Sequence, residues 1–159
     1  MGYTHYWSFV KTKKESKKNE ASYQKAIRAC NKIIQGYNKA VKEQDPKHYA
    51  RLSGYSAYTS DYGGLQVNGA GDYSHEEFLM REHFNQNGSD FCKTANKPYD
   101  VVVVACLIVL KHYLGNAFNV SSDGQRPDWV DGLDLATKYT KIKTLKIPAS
   151  IQSRLSIVS

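Results

Sequence analysis

The chain has 159 residues, 41% of them hydrophobic and 23% charged, which suits one domain with a single core and excludes a disordered composition. Its formal net charge of +7 favours anionic partners such as nucleotides or phosphate-bearing ligands. The longest apolar run, residues 101–110, is too short to span a bilayer, and no secretory signal is visible at the start. We therefore expect a cytoplasmic protein with no membrane association.

The chain opens with a predicted strand and a long predicted helix. Residues 3–10 are rich in aromatic and β-branched side chains, which is typical of a strand. Because side chains alternate along a strand, Tyr6 and Trp7 should face opposite sides of the sheet. From about residue 19 to residue 44, apolar residues recur at alternating spacings of four and three, which predicts an amphipathic helix.

The middle of the chain predicts short elements separated by polar loops. Residues 47–63 are rich in tyrosine and predict a loop with one short strand. Residues 65–68 alternate and predict a strand, with residues 77–82 as its antiparallel mate. Residues 85–90 predict another polar loop.

The last third predicts two more helices around one strand. Pro98 begins a buried helix that runs to about residue 114, residues 118–121 form a strand, and residues 126–139 form a short helix. From Lys138 onward the chain is basic. Its apolar residues Ile142, Leu145 and Ile147 alternate with lysines, which predicts partial packing of this segment.

This order of elements predicts an α+β fold. It places an antiparallel sheet beside two main helices on one face, in the ferredoxin-like βαββαβ arrangement with an added C-terminal helix. We expect residues 1–140 to form the single domain and residues 141–159 to form a basic C-terminal tail.

The loop before Pro98 is the best candidate for a ligand site. Proline suits the first turn of a helix, whose N-terminal amides favour an anion. Lys93 and Lys97 can supply positive charge, and Thr94 can donate to a phosphate oxygen. We include Tyr99 from the same segment among the ligand-binding candidates, although the loop also fits a solvated basic turn before a helix.

Three further residues are candidates for recognising a nucleotide. Asp123 could accept a hydrogen bond from a base amino group or a ribose hydroxyl, but Asp123-Gly124 is also a common turn sequence. Tyr6 or Trp7 could stack on a base, although a strand tryptophan is more often part of a core. The twelve tyrosines of the chain suit both base stacking and protein interfaces.

Two catalytic arrangements can be constructed, and neither has a supporting local signature. Cys92 could pair with His75 or His83 as a thiol and imidazole. A metal site could combine these histidines with Glu76 and Asp72, but the spacing matches no recurring ligand pattern. We therefore predict no catalytic residue, no metal and no cofactor.

Short motifs are spread over most of the chain, outside residues 40–62 and the tail. They are Gly2-Tyr3-Thr4-His5-Tyr6-Trp7, Val67-Asn68-Gly69 before Glu77-Phe78, Phe91-Cys92-Lys93-Thr94, Pro98-Tyr99-Asp100, Ser122-Asp123-Gly124 and Trp129. Through them the chain resembles a family of small, mostly uncharacterised proteins of bacteriophages and microbes. In size, basicity and lysine- and asparagine-rich composition it is also similar to phage anti-CBASS sponges, which sequester a cyclic dinucleotide without cutting it. No motif of that second class matches residue by residue.

The function expected from the sequence and these resemblances is binding without catalysis. The partner would be a small anionic nucleotide signal such as a cyclic dinucleotide, sequestered by a phage protein that counters host defence. One alternative is a hydrolase of nucleotides or phosphoesters, and another is an inhibitor that blocks a host protein through a tyrosine-rich surface. Nucleic acid is not favoured, because no helix-turn-helix, zinc finger or RRM aromatic motif is present, and a homo-oligomer is left open.

Overall fold

The computed structural model describes residues 3–10, 16–44, 64–69, 71–85 and 88–153. The sequence predictions for the tyrosine-rich residues 47–63 lie outside these ranges. The elements are β1 (Thr4–Phe9), α1 (Ser16–Gln44), β2 (Leu65–Val67), β3 (Phe78–Met80), β4 (Ser89–Lys93), α2 (Asp100–Leu114), β5 (Phe118–Ser122) and α3 (Arg126–Thr140), with short 3-10 turns at Gly71–Tyr73 and Gly115–Ala117.

The central element of the core is α2. Every residue from Val102 to Leu110 is buried, and the helix packs against α1, α3 and β5. A Cβ atom at Gly132 of α3 would clash with Val104, so this glycine allows α3 to approach α2 closely. The stretch Asp100–Ala117 is long and apolar enough to cross a membrane, yet 67% of it is buried inside the protein, as in the core helix of a globular domain.

Helix α1 covers the same core with one face. Tyr23, Ile27, Cys30 and Ile34 are each at most 2% exposed, and they recur at the predicted spacing. Polar and charged residues occupy most of the remaining positions of the helix. The amphipathic helix predicted from the sequence is therefore confirmed.

The main sheet has β1 at its centre, with β4 on one side and β5 on the other, both antiparallel to β1. Strands β2 and β3 form a separate two-stranded antiparallel ribbon. In β1, Trp7 and Phe9 belong to the core, whereas Tyr6 is exposed on the opposite face. The predicted orientation of Tyr6 and Trp7 is therefore confirmed.

The predicted α+β class with an antiparallel sheet is confirmed, and α3 is the added C-terminal helix. The central position of β1 between two antiparallel strands fits a ferredoxin-like sheet, but that detail is not confirmed, because three strands lie between α1 and α2 and two of them, β2 and β3, form the separate ribbon. The loop predicted at residues 85–90 was wrong at its end, because β4 begins at Ser89 and extends to Lys93, into the start of the segment expected to be a ligand loop. The polar composition of β4 reflects its exposure to solvent. Its pairing with β1, which is distant in the sequence, stabilises it as a strand although its own residues have a weak preference for one.

The first part of the predicted tail packs on the domain. Leu145, Ile147 and Ile151 are buried, and Arg126 donates to the carbonyl oxygens of Ile147 and Pro148. Packing of the apolar residues among the lysines is therefore confirmed for Leu145 and Ile147.

Candidate functional site

A buried group of polar side chains lies where β1 begins, β5 ends and α2 begins. His5 is fully buried, with Nε2 2.6 Å from Asp100 Oδ1 and Nδ1 2.8 Å from Ser122 Oγ. Thr94 Oγ1 donates to the same Asp100 oxygen over 2.6 Å. We call His5, Thr94, Asp100 and Ser122 the polar cluster. It joins β1, β5 and the residue that follows β4 to the first turn of the core helix.

The hydrogen bonds of this cluster assign its donors and acceptors once Asp100 is taken as ionised and His5 as neutral. An ionised Asp100 can only accept, so the hydrogen on His5 Nε2 and the hydroxyl of Thr94 both point to its carboxylate. In a neutral imidazole Nδ1 is then the acceptor, and Ser122 donates its hydroxyl hydrogen to it. The two lone pairs of Ser122 Oγ accept from the Gly124 amide at 2.9 Å and from Trp129 Nε1 at 3.4 Å.

Aromatic rings enclose the imidazole of His5. The rings of Tyr3 and Trp129 meet it edge to face, at centroid distances of 5.2 and 5.5 Å. Burial, together with the negative charge of Asp100, raises the pKa of Tyr3. His5 therefore has no exposed surface, and its exclusion from solvent strengthens the hydrogen bonds that it makes.

The outer face of the main sheet carries two exposed aromatic side chains. Tyr6 of β1 and Phe91 of β4 are paired directly across the strands, and their exposed fractions are 43% and 56%. Their ring centroids are 6.3 Å apart with a tilt of 41°. A shallow depression of about 470 Å³ surrounds them, with polar side chains from all three strands along it: Ser8, Ser89, Asn119 and Ser121. We call this surface the open face.

The predicted ligand loop is used mainly for internal contacts. Thr94 and Tyr99 are fully buried, and the Tyr99 hydroxyl donates to the Glu76 carbonyl oxygen. Lys97 Nζ donates to the Asp72 carbonyl oxygen over 3.2 Å. Of the loop candidates, Thr94 and Tyr99 therefore contribute to the packing around α2 and do not face solvent.

The N-terminus of α2 already has partners for its amides. Those of Asp100, Val102 and Val103 donate to the carbonyl oxygens of Lys97 and Tyr99. The carboxylate of Asp100 itself stands at this positive end of the helix, where a bound anion would otherwise be favoured. The chain thus supplies its own anion at this position.

The remaining predicted residues divide between the two faces of the sheet. Lys93 ends β4 and, two positions from Phe91, lies on the side of the open face. Asp123 is exposed, and its Oδ2 accepts from the Thr4 amide over 3.0 Å. Trp7 is buried and packs edge-on against Phe78 at 5.3 Å. Of the sequence candidates, Tyr6 therefore lines the depression, and half-exposed Lys93 follows on the same side of the sheet, beyond the residues that line it.

The two catalytic arrangements considered from the sequence do not form. Cys92 is buried and donates to the Glu76 carbonyl oxygen, and burial raises the pKa of its thiol to about 12. His75 instead contacts the Lys93 carbonyl oxygen, and His83 contacts Glu20. Across the described part of the chain, no group of three or more metal-ligating side chains comes together.

Sequence reasoning missed Phe91, His5 and Ser122 as site residues. Phe91 and Lys93 flank buried Cys92, and this alternation is typical of a strand with an exposed aromatic residue. The polar residues around it made the segment resemble a loop. His5 occupies an inward position of β1 next to exposed Tyr6, and a buried histidine needs hydrogen-bond partners. Ser122 carried no signal of its own.

The sequence matches no known protein-family model, and no curated protein or solved structure is significantly similar to it.

Proposed function

We propose that this protein binds and sequesters an anionic nucleotide on the open face, without cleaving it. The observation that carries the proposal is the pair of exposed aromatic rings, Tyr6 and Phe91, side by side on an otherwise polar sheet surface. Exposed aromatic side chains on a sheet are suitable platforms for stacking nucleobases. Two adjacent rings suit a ligand with two bases, such as a cyclic dinucleotide.

The surroundings of the two rings support a base-bearing anion. The hydroxyl and amide groups of Ser8, Ser121 and Asn119 line the depression and can contact the edges of a base. Lys93 lies at the end of the same face and can contact a phosphate. The net charge of +7 adds a general attraction for anions.

Sequestration without turnover fits the chemistry of this surface. The described residues along the depression include neither histidine nor cysteine, so they offer no imidazole base and no thiol nucleophile. Asp90 is the one carboxylate among them. A nucleotide held there would be kept from its receptor and released intact on unfolding. In a phage protein acting in the host cytoplasm, this activity would suppress a nucleotide immune signal.

The test is calorimetric titration with cyclic diadenylate and cyclic guanylate–adenylate, followed by heat denaturation and chromatography of the released nucleotide. Recovery of the intact cyclic dinucleotide supports sequestration, whereas linear products contradict it. Absence of binding to both nucleotides, and to linear dinucleotides included in parallel, would remove the proposed ligand class.

Matched variants locate the site. Phe91→Ala removes one stacking ring and should weaken binding roughly ten- to hundredfold, since one stacked base contributes about 1–3 kcal/mol. Tyr73→Ala is the control, because Tyr73 is similarly exposed, at 41%, but lies in the 3-10 turn at Gly71–Tyr73. Equal affinity of Phe91→Ala and the unmodified protein would show that the ligand binds elsewhere.

A further inference from the structure

We propose that the solvent side of α1 binds a double-stranded nucleic acid through its phosphate backbone. The inference goes beyond nucleotide binding on the open face and concerns a different element of the fold. It rests on a row of exposed, positively charged side chains, which we call the basic stripe: Lys18, Lys25, Arg28, Lys32 and Lys39. The apolar face of the same helix is buried in the core, so the stripe is the side of α1 that a partner can reach.

Helix geometry places these five side chains on one line. Their successive spacings are seven, three, four and seven residues, and each of these returns a side chain to nearly the same side of an α-helix. At a rise of 1.5 Å per residue, the stripe runs about 32 Å along the helix from Lys18 to Lys39. Ala21 and Gln35, the exposed residues that complete the line, carry no charge. The result is a continuous row of like charge.

No acidic side chain in the described part of the chain forms an ion pair with the stripe. Glu20, the one acidic residue of α1 whose side chain is described, contacts His83 instead. A solvated helix face is stabilised by opposite charges three or four residues apart. In the stripe these spacings join Arg28 to Lys25 and to Lys32, and like charges at such spacings destabilise a helix. The stripe therefore does not serve the stability of α1, which favours a role in binding.

The form and composition of the stripe suit the backbone of a duplex. Double-stranded DNA carries one negative charge per about 1.7 Å of its axis, so a straight row of cations meets phosphates along its whole length. Proteins hold single strands largely by stacking bases on aromatic side chains, and the stripe contains none. Gln35 is the one amide on the line, so the stripe offers little for reading base edges. Binding should therefore be independent of sequence, in agreement with the lack of sequence-reading motifs.

Two other anionic partners fit the stripe less well. A helix that binds a membrane surface presents apolar side chains to the lipid, but Tyr23, Ile27 and Ile34 of α1 are buried in the domain. A stable protein interface needs aromatic or aliphatic anchors at its centre, and the stripe has only long cationic side chains. A partner recognised by charge alone matches what the stripe presents.

The experiment measures binding of a short fluorescein-labelled DNA duplex of mixed sequence by fluorescence anisotropy at increasing salt concentrations. The logarithm of the binding constant should fall against the logarithm of the salt concentration with a slope of about −3 to −4.5, because most of the five side chains displace counterions from phosphates. The combined variant Lys25→Gln, Arg28→Gln and Lys32→Gln should weaken binding about thirtyfold at low salt and reduce the steepness of the slope by about 2 to 3.

The control variant combines Lys141→Gln, Lys143→Gln and Lys146→Gln. It removes the same charge from exposed lysines that follow α3, so the net charge of the two variants is equal. The control should keep the affinity for the duplex within about threefold, since only the general field of the protein changes. Equal losses in the two variants would show that net charge alone attracts the duplex, and they would overturn the proposal.

Stability separates a binding role from a structural one. The stripe variant should melt at the same temperature as the unmodified protein or higher, because it relieves repulsion within α1. A marked drop in its melting temperature would make the three side chains structural and overturn the assignment. The unmodified protein gives a second decision that needs no variant. Failure to bind the duplex at low salt overturns the proposal, and so does tighter binding to a single strand of the same length or to phosphatidylserine–phosphatidylcholine vesicles.

Discussion

His5 and Tyr6 are consecutive residues of β1 that face opposite sides of the sheet, the first with no exposed surface and the second 43% exposed. The inner residue belongs to the polar cluster, and the outer one forms half of the aromatic pair on the open face. A single strand thus contributes to two chemically different sites. Because the pleat separates them, substitutions can change one site while leaving the side chains of the other in place.

The first prediction concerns Lys93 at the end of the open face. If its ammonium contacts a phosphate, Lys93→Ala should weaken cyclic dinucleotide binding about tenfold at low salt, on the order of 1.5 kcal/mol for a charged hydrogen bond. The loss should shrink at high salt, because an exposed ion pair is screened. Titrations at two salt concentrations measure both effects, with exposed Lys143→Ala as the matched control.

The same titrations separate binding from stability. Lys93→Ala should leave the melting temperature nearly unchanged, because the half-exposed side chain contributes little apolar burial. A large drop in melting temperature with unaltered affinity would make Lys93 a structural residue and move the phosphate contact elsewhere.

The second prediction concerns the three cysteines, Cys30, Cys92 and Cys106. All are buried and unpaired, and burial raises the pKa of the Cys30 and Cys92 thiols. Since the thiolate is the reactive form, Ellman's reagent should modify fewer than one thiol per native molecule and all three after denaturation. Rapid reaction of one thiol in the native protein, lost in Cys92→Ala, would restore the cysteine-nucleophile alternative.

The elements with strong local periodicity could be predicted from the sequence. The stripe that includes Tyr23, Ile27 and Ile34 predicts α1, and the valine run after Pro98 predicts α2. Both patterns lie within one continuous segment, so the residues of that segment are enough to predict the helix. Strand β4 has no such pattern, because its stability depends on pairing with a strand far away in the sequence.

The polar cluster could not be predicted for a related reason. His5 is 95 residues from Asp100 and 117 residues from Ser122, so no spacing along the chain brings them together. Thr94 was expected to face a ligand because it lies in a polar loop. A polar side chain with a buried partner gives the same sequence signal as a solvated one, and only the fold distinguishes the two.

The third prediction concerns pH and the contact between His83 and Glu20. His83 Nδ1 lies 2.7 Å from Glu20 Oε1, and this hydrogen bond raises the pKa of His83. Burial would raise the pKa of Glu20, but hydrogen bonds from His83, the Phe84 amide and Gln24 outweigh it and lower that pKa. The contact therefore fastens residues 83–84 to α1.

The sign of the pH dependence follows from these shifts. The histidine contribution is complete below its ordinary pKa of 6.5 and is lost as pH rises through the raised value. The glutamate contribution is complete above its ordinary pKa of 4.5 and is lost as pH falls through the lowered value. Both stabilising contributions are present between about pH 4.5 and 6.5. Because the contact with Glu20 raises the pKa of His83, an NMR titration should give a lower pKa for His83 in Glu20→Gln than in the unmodified protein. An identical titration curve in both proteins would contradict the contact.

The last prediction concerns the contribution of His5 to folding. His5→Ala removes the partner of both Asp100 and Ser122 and leaves a buried carboxylate with only its Thr94 contact. Loss of a hydrogen-bond partner from a buried carboxylate should lower the free energy of unfolding by about 3 kcal/mol. Tyr6→Ala, on the next residue of the same strand, should lower it by less than about 1 kcal/mol, because its ring is largely exposed. Urea denaturation of the two variants and the unmodified protein measures the difference. Equal losses would mean that the polar cluster adds no more to stability than an exposed ring.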